Sequence, residues 1–177
     1  MRRWTRSRTR TGLFEFPQIG PLARDDARAA IYVPARDRGV EFTDGALDAI
    51  IDRAHGYPYF LQEWGYHVWN AASNSPVDVD VVDDVASKVI LHLDENFFLV
   101  RFDRLTPAER RYLRAMAELG PGPHRSGDIA AQLGVRVESV APRRSGLITK
   151  GMVYSPAYGD TAFTVPLFDE FLRRRMP

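Results

Sequence analysis

The chain has 177 residues, 45% of them hydrophobic, with 24 basic and 23 acidic residues and a net charge of +1. That length and apolar content suit one large or two small folded domains. The absence of cysteine excludes disulfides, thiolate nucleophiles and cysteine metal sites, and no apolar run is long enough to span a bilayer. Charge is unevenly spread: residues 1–11 carry five arginines and no acid, residues 12–105 carry 8 basic and 16 acidic residues, and residues 106–177 carry 11 basic and 7 acidic residues. An acidic middle followed by a basic end suggests two modules with different partners.

The start, Met1 to Arg10, lacks the apolar stripe of a transit peptide and the apolar core of a secretory signal. It reads as a disordered basic arm over residues 1–12. Leu13 to Phe16 is a short apolar stretch ended by Pro17, and Gly20-Pro21 is a turn. Asp25 and Asp26 are expected to cap a first helix that reaches Val33 and is ended or kinked by Pro34. Thr43-Asp44 open a second helix with Leu47, Ile50, Ile51 and Ala54 on one face, and Gly56 ends it. A third runs from Pro58 to about Ala72 and holds Phe60, Leu61, Trp64, Val68 and Trp69, with both tryptophans expected in or against the core. A long fourth helix is expected from Val79 to Val100, with Val82, Val85, Val89, Leu93 and Phe97 recurring every three or four positions. Residues 13–104 are thus expected to form a small helical bundle.

A second module, residues 105–177, opens with Thr106 as a cap, Pro107 at the first helical position and Glu109 closing a capping box. Gly120-Pro121-Gly122-Pro123 breaks that helix. A short helix from Ser126 to Leu133 and a turn at Gly134 precede a helix from Ser139 to Lys150. Met152 to Tyr154 and Ala162 to Val165 read as strands with a hairpin tip at Tyr158-Gly159-Asp160. A last helix carries Leu167, Phe168, Phe171 and Leu172. The fold class expected is mainly α: a helical bundle, then a winged helix-turn-helix with a β-hairpin wing.

Two features carry a family resemblance over about residues 13–175. The run His55-Gly56-Tyr57-Pro58-Tyr59-Phe60-Leu61-Gln62, in which one amphipathic helix stops and the next starts, resembles the lid subdomain of bacterial P-loop ATPases of the STAND/AAA+ group, in the part that includes origin-initiator-like ATP-binding proteins. Ser126 to Val135 and Phe163-Thr164-Val165-Pro166-Leu167-Phe168 resemble the winged helix that follows such a lid. The resemblance implies that Gly56, Tyr57 and Pro58 lie over the adenine of ATP or ADP in a full-length parent. It further implies that the winged helix passes the nucleotide state to double-stranded DNA, to a P-loop core or to another protein, in the cytoplasm and without a membrane.

The phosphate-binding motif is missing. It needs a lysine followed by Ser or Thr after a glycine-rich loop, whereas Lys88 precedes Val89 and Lys150 precedes Gly151. No ATPase activity and no bound cofactor are expected of this chain alone, and the chain reads as the C-terminal part of such a protein. Val89 to Glu95 looks like a strand ending in paired acids, yet it lies inside a helical period and is read as helix. His55, His67, His92 and His124 are read as showing no His-x-x-x-His or His–Glu pairing, so no metal site is expected, and no catalytic constellation is found.

For DNA, a helix at 100° per residue places Val140 and Leu147 toward the core and puts Ser139, Arg143, Gly146 and Lys150 on a separate stripe. That stripe, with Arg136 just before it, is the expected DNA-contacting surface. Arg144 is expected to lean toward the buried face. Two other readings stay open: a stand-alone winged-helix regulator, and a protein-interaction module that binds no DNA.

Overall fold

The computed structural model describes residues 20–177, so the basic arm and Leu13 to Pro17 lie outside the described residues. The chain is mainly helical, with a small antiparallel sheet in its second half. The first half contains α1 (Arg24–Arg36), α2 (Asp44–Ala54), α3 (Pro58–Ala71) and α4 (Val79–Leu93). Helix α4 continues without a break through a π-helical segment, Asp94–Phe98, into the short α5 (Leu99–Phe102). The second half contains α6 (Pro107–Glu118), β1 (His124–Arg125), α7 (Ser126–Leu133), a 3-10 turn (Val137–Ser139), α8 (Ala141–Thr149), β2 (Val153–Tyr154), β3 (Asp160–Phe163) and α9 (Phe168–Arg175). That is a helical bundle followed by the element order of a winged helix.

The bundle forms because each helix has one apolar face. Ala46, Leu47, Ile50, Ile51 and Ala54 of α2 meet Phe60, Leu61, Trp64 and Val68 of α3 and Val82, Val85, Val89 and Leu93 of α4 in one core. The solvent side of α2 is acidic, and arginines of α1 meet it: Arg24 reaches Asp48 at 2.9 Å and Asp52 at 2.6 Å, and Arg28 pairs with Asp44. These pairs are exposed and orient α1 more than they stabilise it.

The local signals at Thr43, Pro58 and Thr106 act as expected. Thr43 Oγ1 accepts the Ala46 N–H, Pro58 opens α3, and Thr106 with Glu109 forms a complete capping box. Four expectations are corrected. Asp25 and Asp26 lie inside the first turn of α1; its cap position is Ala23, which makes no side-chain bond. Pro34 does not end α1, because it falls in the last turn, where the Ala30 carbonyl that loses its partner is exposed to water. The fourth helix is not uniform but carries the π segment. The helix expected from Ser139 begins at Ala141, because Pro142 has no N–H to give and is tolerated only in a first turn.

The wing is also shifted. β3 starts at Asp160, two residues before the expected strand, and pairs through Val153↔Phe163 and Tyr154↔Ala162. The two-residue β1 was not foreseen; it pairs with β3 through His124↔Thr161 and Arg125↔Asp160, giving the order β1-β3-β2.

Trp64 is 2% exposed, with the Arg53 guanidinium 5.4 Å from its ring centre, whereas Trp69 is 36% exposed. Trp64→Ala should therefore cost about 3–5 kcal/mol. Trp69→Ala should cost clearly less. Chemical denaturation of both variants checks the order.

Candidate functional site

The turn between α2 and α3 is built from two consecutive left-handed residues, His55 at φ 50° and Gly56 at φ 64°. Their N–H groups close α2 onto Asp52 and Ile51, and Tyr57 N–H bonds the Ala54 carbonyl at 2.9 Å. Gly56 is required twice over. Its φ disfavours a side chain, and an added Cβ would stand 3.0 Å from the Leu22 backbone oxygen. The close approach exists because Leu22 N–H bonds the Gly56 carbonyl at 2.9 Å, strapping the segment before α1 across the turn.

Gly56 is buried, while Tyr57 and Pro58 are half-buried. Tyr57 and His55 form one wall of a cleft of about 880 Å³. The opposite wall belongs to the winged helix: Tyr154 and Phe163 of the wing, Val165, and the start of α9. Its surfaces are mostly apolar and aromatic, which suits a flat aromatic ring. Arg173 lies there too, but it is held by Asp169 at 2.8 Å and by the Ala117 carbonyl at 2.5 Å. That basic group is committed inside the protein and does not offer itself to phosphates.

From this turn an aromatic column crosses the molecule. Tyr57 packs on Phe60 at 4.7 Å between ring centres and on Phe97 at 6.2 Å. Phe60 contacts both Phe97 and Phe98. Phe98 stacks on Phe171 at 5.4 Å and meets Phe168 at 5.7 Å, both on α9. The π segment carries Phe97 and Phe98, and both rings are buried. Side chains take up carbonyls around it: Asn96 Nδ2 donates to His92 O at 3.1 Å, and Arg101 Nη1 donates to Phe97 O at 2.8 Å. Arg101 also lies 3.6 Å above the Phe97 ring. Outside the column, Arg174 clamps Asp94 with two hydrogen bonds, at 2.7 and 3.0 Å.

The expected DNA stripe divides. Arg136 and Ser139 are exposed, with Ser139 Oγ donating to the Arg136 carbonyl at 2.7 Å, and Arg143 is half-buried with no ion pair among the described residues. Lys150 is elsewhere engaged. Its Nζ lies 2.7 Å from Glu109 Oε2 and 3.1 Å from the Arg104 carbonyl. Gly146 faces the same acid, since an added Cβ would be 3.3 Å from Glu109 Oε1. Arg144 leans inward as expected, but its partners are hydrogen-bond acceptors of the wing: Thr161 Oγ1, Ser155 Oγ and the Asp160 carbonyl.

Burial alone would push the Glu109 carboxyl up, but the hydrogen bonds from Lys150 and Thr106 outweigh it and hold the group below its ordinary range. A carboxylate with a depressed folded-state pKa stabilises the fold above its unfolded pKa, and that contribution is lost as pH falls through the folded value.

A group that sequence reasoning missed lies between α3 and α4. Glu63 and His67 are four residues apart on one face of α3, which corrects the expectation of no His–Glu pairing; the spacing is visible in the sequence. His92 of α4 meets them, with Nε2 3.2 Å from Glu63 Oε2. His67 Nε2 is buried and has no hydrogen-bond partner. Burial lowers the His67 pKa, as do His92 and Lys88, while Glu63 opposes them.

A family model described as a domain of unknown function (DUF8462) matches residues 95–172. No curated protein matches the chain. Among solved structures, the chain is similar to the Thermotoga maritima RuvB Holliday junction branch migration motor, with 20% identity, a TM-score of 0.39, and coverage of 81% of this chain and 47% of that one. Two substituted forms of the same Thermotoga maritima protein match at 19% and 20% identity, each with a TM-score of 0.39 over 88% of this chain and 50% of theirs. The chain therefore spans about half the length of these structures.

Gly56→Ala should lower stability by about 1–3 kcal/mol through left-handed strain and the clash with Leu22, read as a lower melting temperature. Glu109→Gln should cost about 1–2 kcal/mol near neutral pH. That deficit should shrink as pH falls through the depressed native pKa of Glu109, beneath the ordinary carboxylate range, where the native carboxylate also protonates; urea melts at several pH values check it.

Proposed function

We propose that this chain is the nucleotide-sensing and output part of an ATP-binding protein of the STAND/AAA+ type. Residues 13–104 are the lid and residues 105–177 are the winged helix. The phosphate-binding core is supplied from outside the residues of this chain. In that protein Gly56, Tyr57 and Pro58 meet the adenine of ATP or ADP, and the chain by itself hydrolyses nothing. The observation that supports the reading best is the aromatic column from Tyr57 through Phe97 and Phe98 to α9. A base seated on Tyr57 would press on a packed row of rings that ends in the winged helix, and packed interiors move as units. The compartment that fits is the cytoplasm, and no helix among the described residues is long and apolar enough to cross a membrane.

The winged helix then acts on double-stranded DNA or on a protein partner. Arg125, Arg136 and Arg143 form no ion pairs among the described residues, which favours a DNA contact through Arg136, Ser139 and Arg143. Lys150 belongs to the fold and is left out of that contact. A protein partner is favoured by exposed Val135 and Val137, on either side of Arg136, and by Tyr158, fully exposed at the tip of the wing.

Two measurements test the reading. Calorimetry with MgATP should show no saturable binding to this chain, because the N–H cradle and lysine for the phosphates are missing; micromolar affinity would overturn the division of labour. Fluorescence anisotropy with duplex DNA over a range of salt tests the output. If DNA is the partner, changing Arg136 and Arg143 together to Ala should flatten the logarithmic salt slope by about two units. Lys150→Ala should leave that slope intact and lower the melting temperature instead. Failure to bind duplex at low salt would leave a protein as the partner.

A further inference from the structure

The cluster formed by Glu63, His67 and His92 lies outside the turn, the cleft and the winged helix. One ligand atom from each residue lies within 4.8 Å of the others. Two ligands of a tetrahedral ion held at about 2.0–2.1 Å stand roughly 3.3 Å apart. The His92 Nε2 to Glu63 Oε2 separation of 3.2 Å already has that spacing. The His67 nitrogen has at most about 1.5 Å to close by side-chain rotation.

A further observation points to a ligand here. His67 is 7% exposed, and its Nε2 is a buried polar atom without a partner among the described residues. Such an atom is costly to leave unpaired, and its placement beside a carboxylate and a second imidazole is what a metal ion would compensate. The Asn96 amide lies 3.3 Å from His92 Nδ1. The same amide nitrogen donates to the His92 carbonyl at 3.1 Å, so Asn96 stays bound to the backbone of the ligating residue and takes no part in binding the ion. The His92 side chain is 40% exposed, so an ion reaches the site from solvent without the bundle opening.

We propose that Glu63, His67 and His92 bind one divalent transition-metal ion of the zinc class through two imidazole nitrogens and one carboxylate oxygen, with water at the fourth position. The donor set selects a borderline ion over calcium or magnesium, which prefer all-oxygen shells. The ion bridges α3 and α4 one turn before the π segment, so it locks the two helices that carry Phe60 and Phe97. Its role is structural: it fixes the bundle end on which the aromatic column rests. The site is independent of nucleotide and DNA, so its test can fail while the proposed function stands, and the reverse.

The test uses the full chain freed of metal by a chelator, titrated with zinc by calorimetry and with cobalt(II) by visible absorption. One equivalent should bind with micromolar or tighter affinity, and cobalt should give the intense absorption bands of a tetrahedral site. Zinc at a hundredfold excess over Kd should raise the melting temperature by about 5–10 °C. His92→Ala, an exposed substitution compatible with folding, and Glu63→Gln should each weaken binding by about tenfold or more and remove the thermal shift. His124→Gln, on the far module, should bind as the unaltered chain does. Absence of saturable binding overturns the proposal. So does a His92→Ala protein that binds and melts with zinc like the unaltered chain.

Discussion

The burial of Phe97 and Phe98 side by side between the two modules is the constraint on which the rest depends. Both are buried, and they face opposite modules: Phe97 lies against Tyr57, Tyr59 and Phe60, and Phe98 against Phe168 and Phe171. Burying two adjacent phenylalanines is worth roughly 2–3 kcal/mol for each ring. Both lie in the π segment, around which the His92 and Phe97 carbonyls accept bonds from Asn96 and Arg101, each four residues along on the same helix. The bundle and the winged helix are thereby joined by aromatic contact, with the Arg174–Asp94 clamp at the rim.

Electrostatics at the junction work in the same direction. Most basic side chains of the second module are spent inside it or against its neighbour: Arg110 on the Leu105 carbonyl and Asp103, Arg114 on Glu118 and the Met176 carbonyl, Arg144 on the wing, Lys150 on Glu109, Arg173 on Asp169, and Arg174 on Asp94. The charge excess that looks available in the sequence is therefore mostly structural. Within this module Arg111, Arg125, Arg136, Arg143 and Arg175 form no ion pair among the described residues, and five cations by themselves supply only modest non-specific attraction to a duplex, since that attraction scales with the phosphates neutralised. A DNA contact here would depend on geometry and on a second binding surface more than on charge.

Much of the fold was legible because its signals are local. Thr43, Pro58, and Thr106 with Glu109 mark helix starts through bonds made within three or four residues, and Gly56 and Gly134 mark stops through positive φ. The features that were not legible depend on distant partners. Nothing near Asp94 announces a π turn, and the rings it carries meet Phe60 and Phe171 from distant parts of the chain. β1 has only two residues and is a strand solely because Thr161 and Asp160 lie beside it. The stripe of Ser139, Arg143, Gly146 and Lys150 rests on 100° spacing from Ser139, but α8 begins only at Ala141 and leaves Ser139 in the preceding 3-10 turn, and spacing cannot show that Glu109, forty-one residues earlier, already holds Lys150. The Glu63–His67 spacing was visible, and its meaning came only with His92 from another helix.

The π segment also limits how a signal could travel between the two modules. Relaxing it into regular α-helix would rotate everything after it by about 100° relative to α4. That would turn Phe97 or Phe98 toward solvent, break the Arg174–Asp94 clamp and pull α9 off the column. The cost, several kcal/mol from the lost ring burial alone, exceeds what a modest difference in nucleotide affinity supplies. Local rewinding is therefore a poor switch. Transmission by movement of intact bodies is cheaper: the turn at Gly56, the π segment and α9 keep their mutual contacts and shift together, and the strain falls on the surfaces outside the column. The strap of Leu22 across Gly56 and the cleft beside Tyr57 lie at that boundary, which makes the segment before α1, more than the helix after α4, the place where the two ends of the chain can be decoupled.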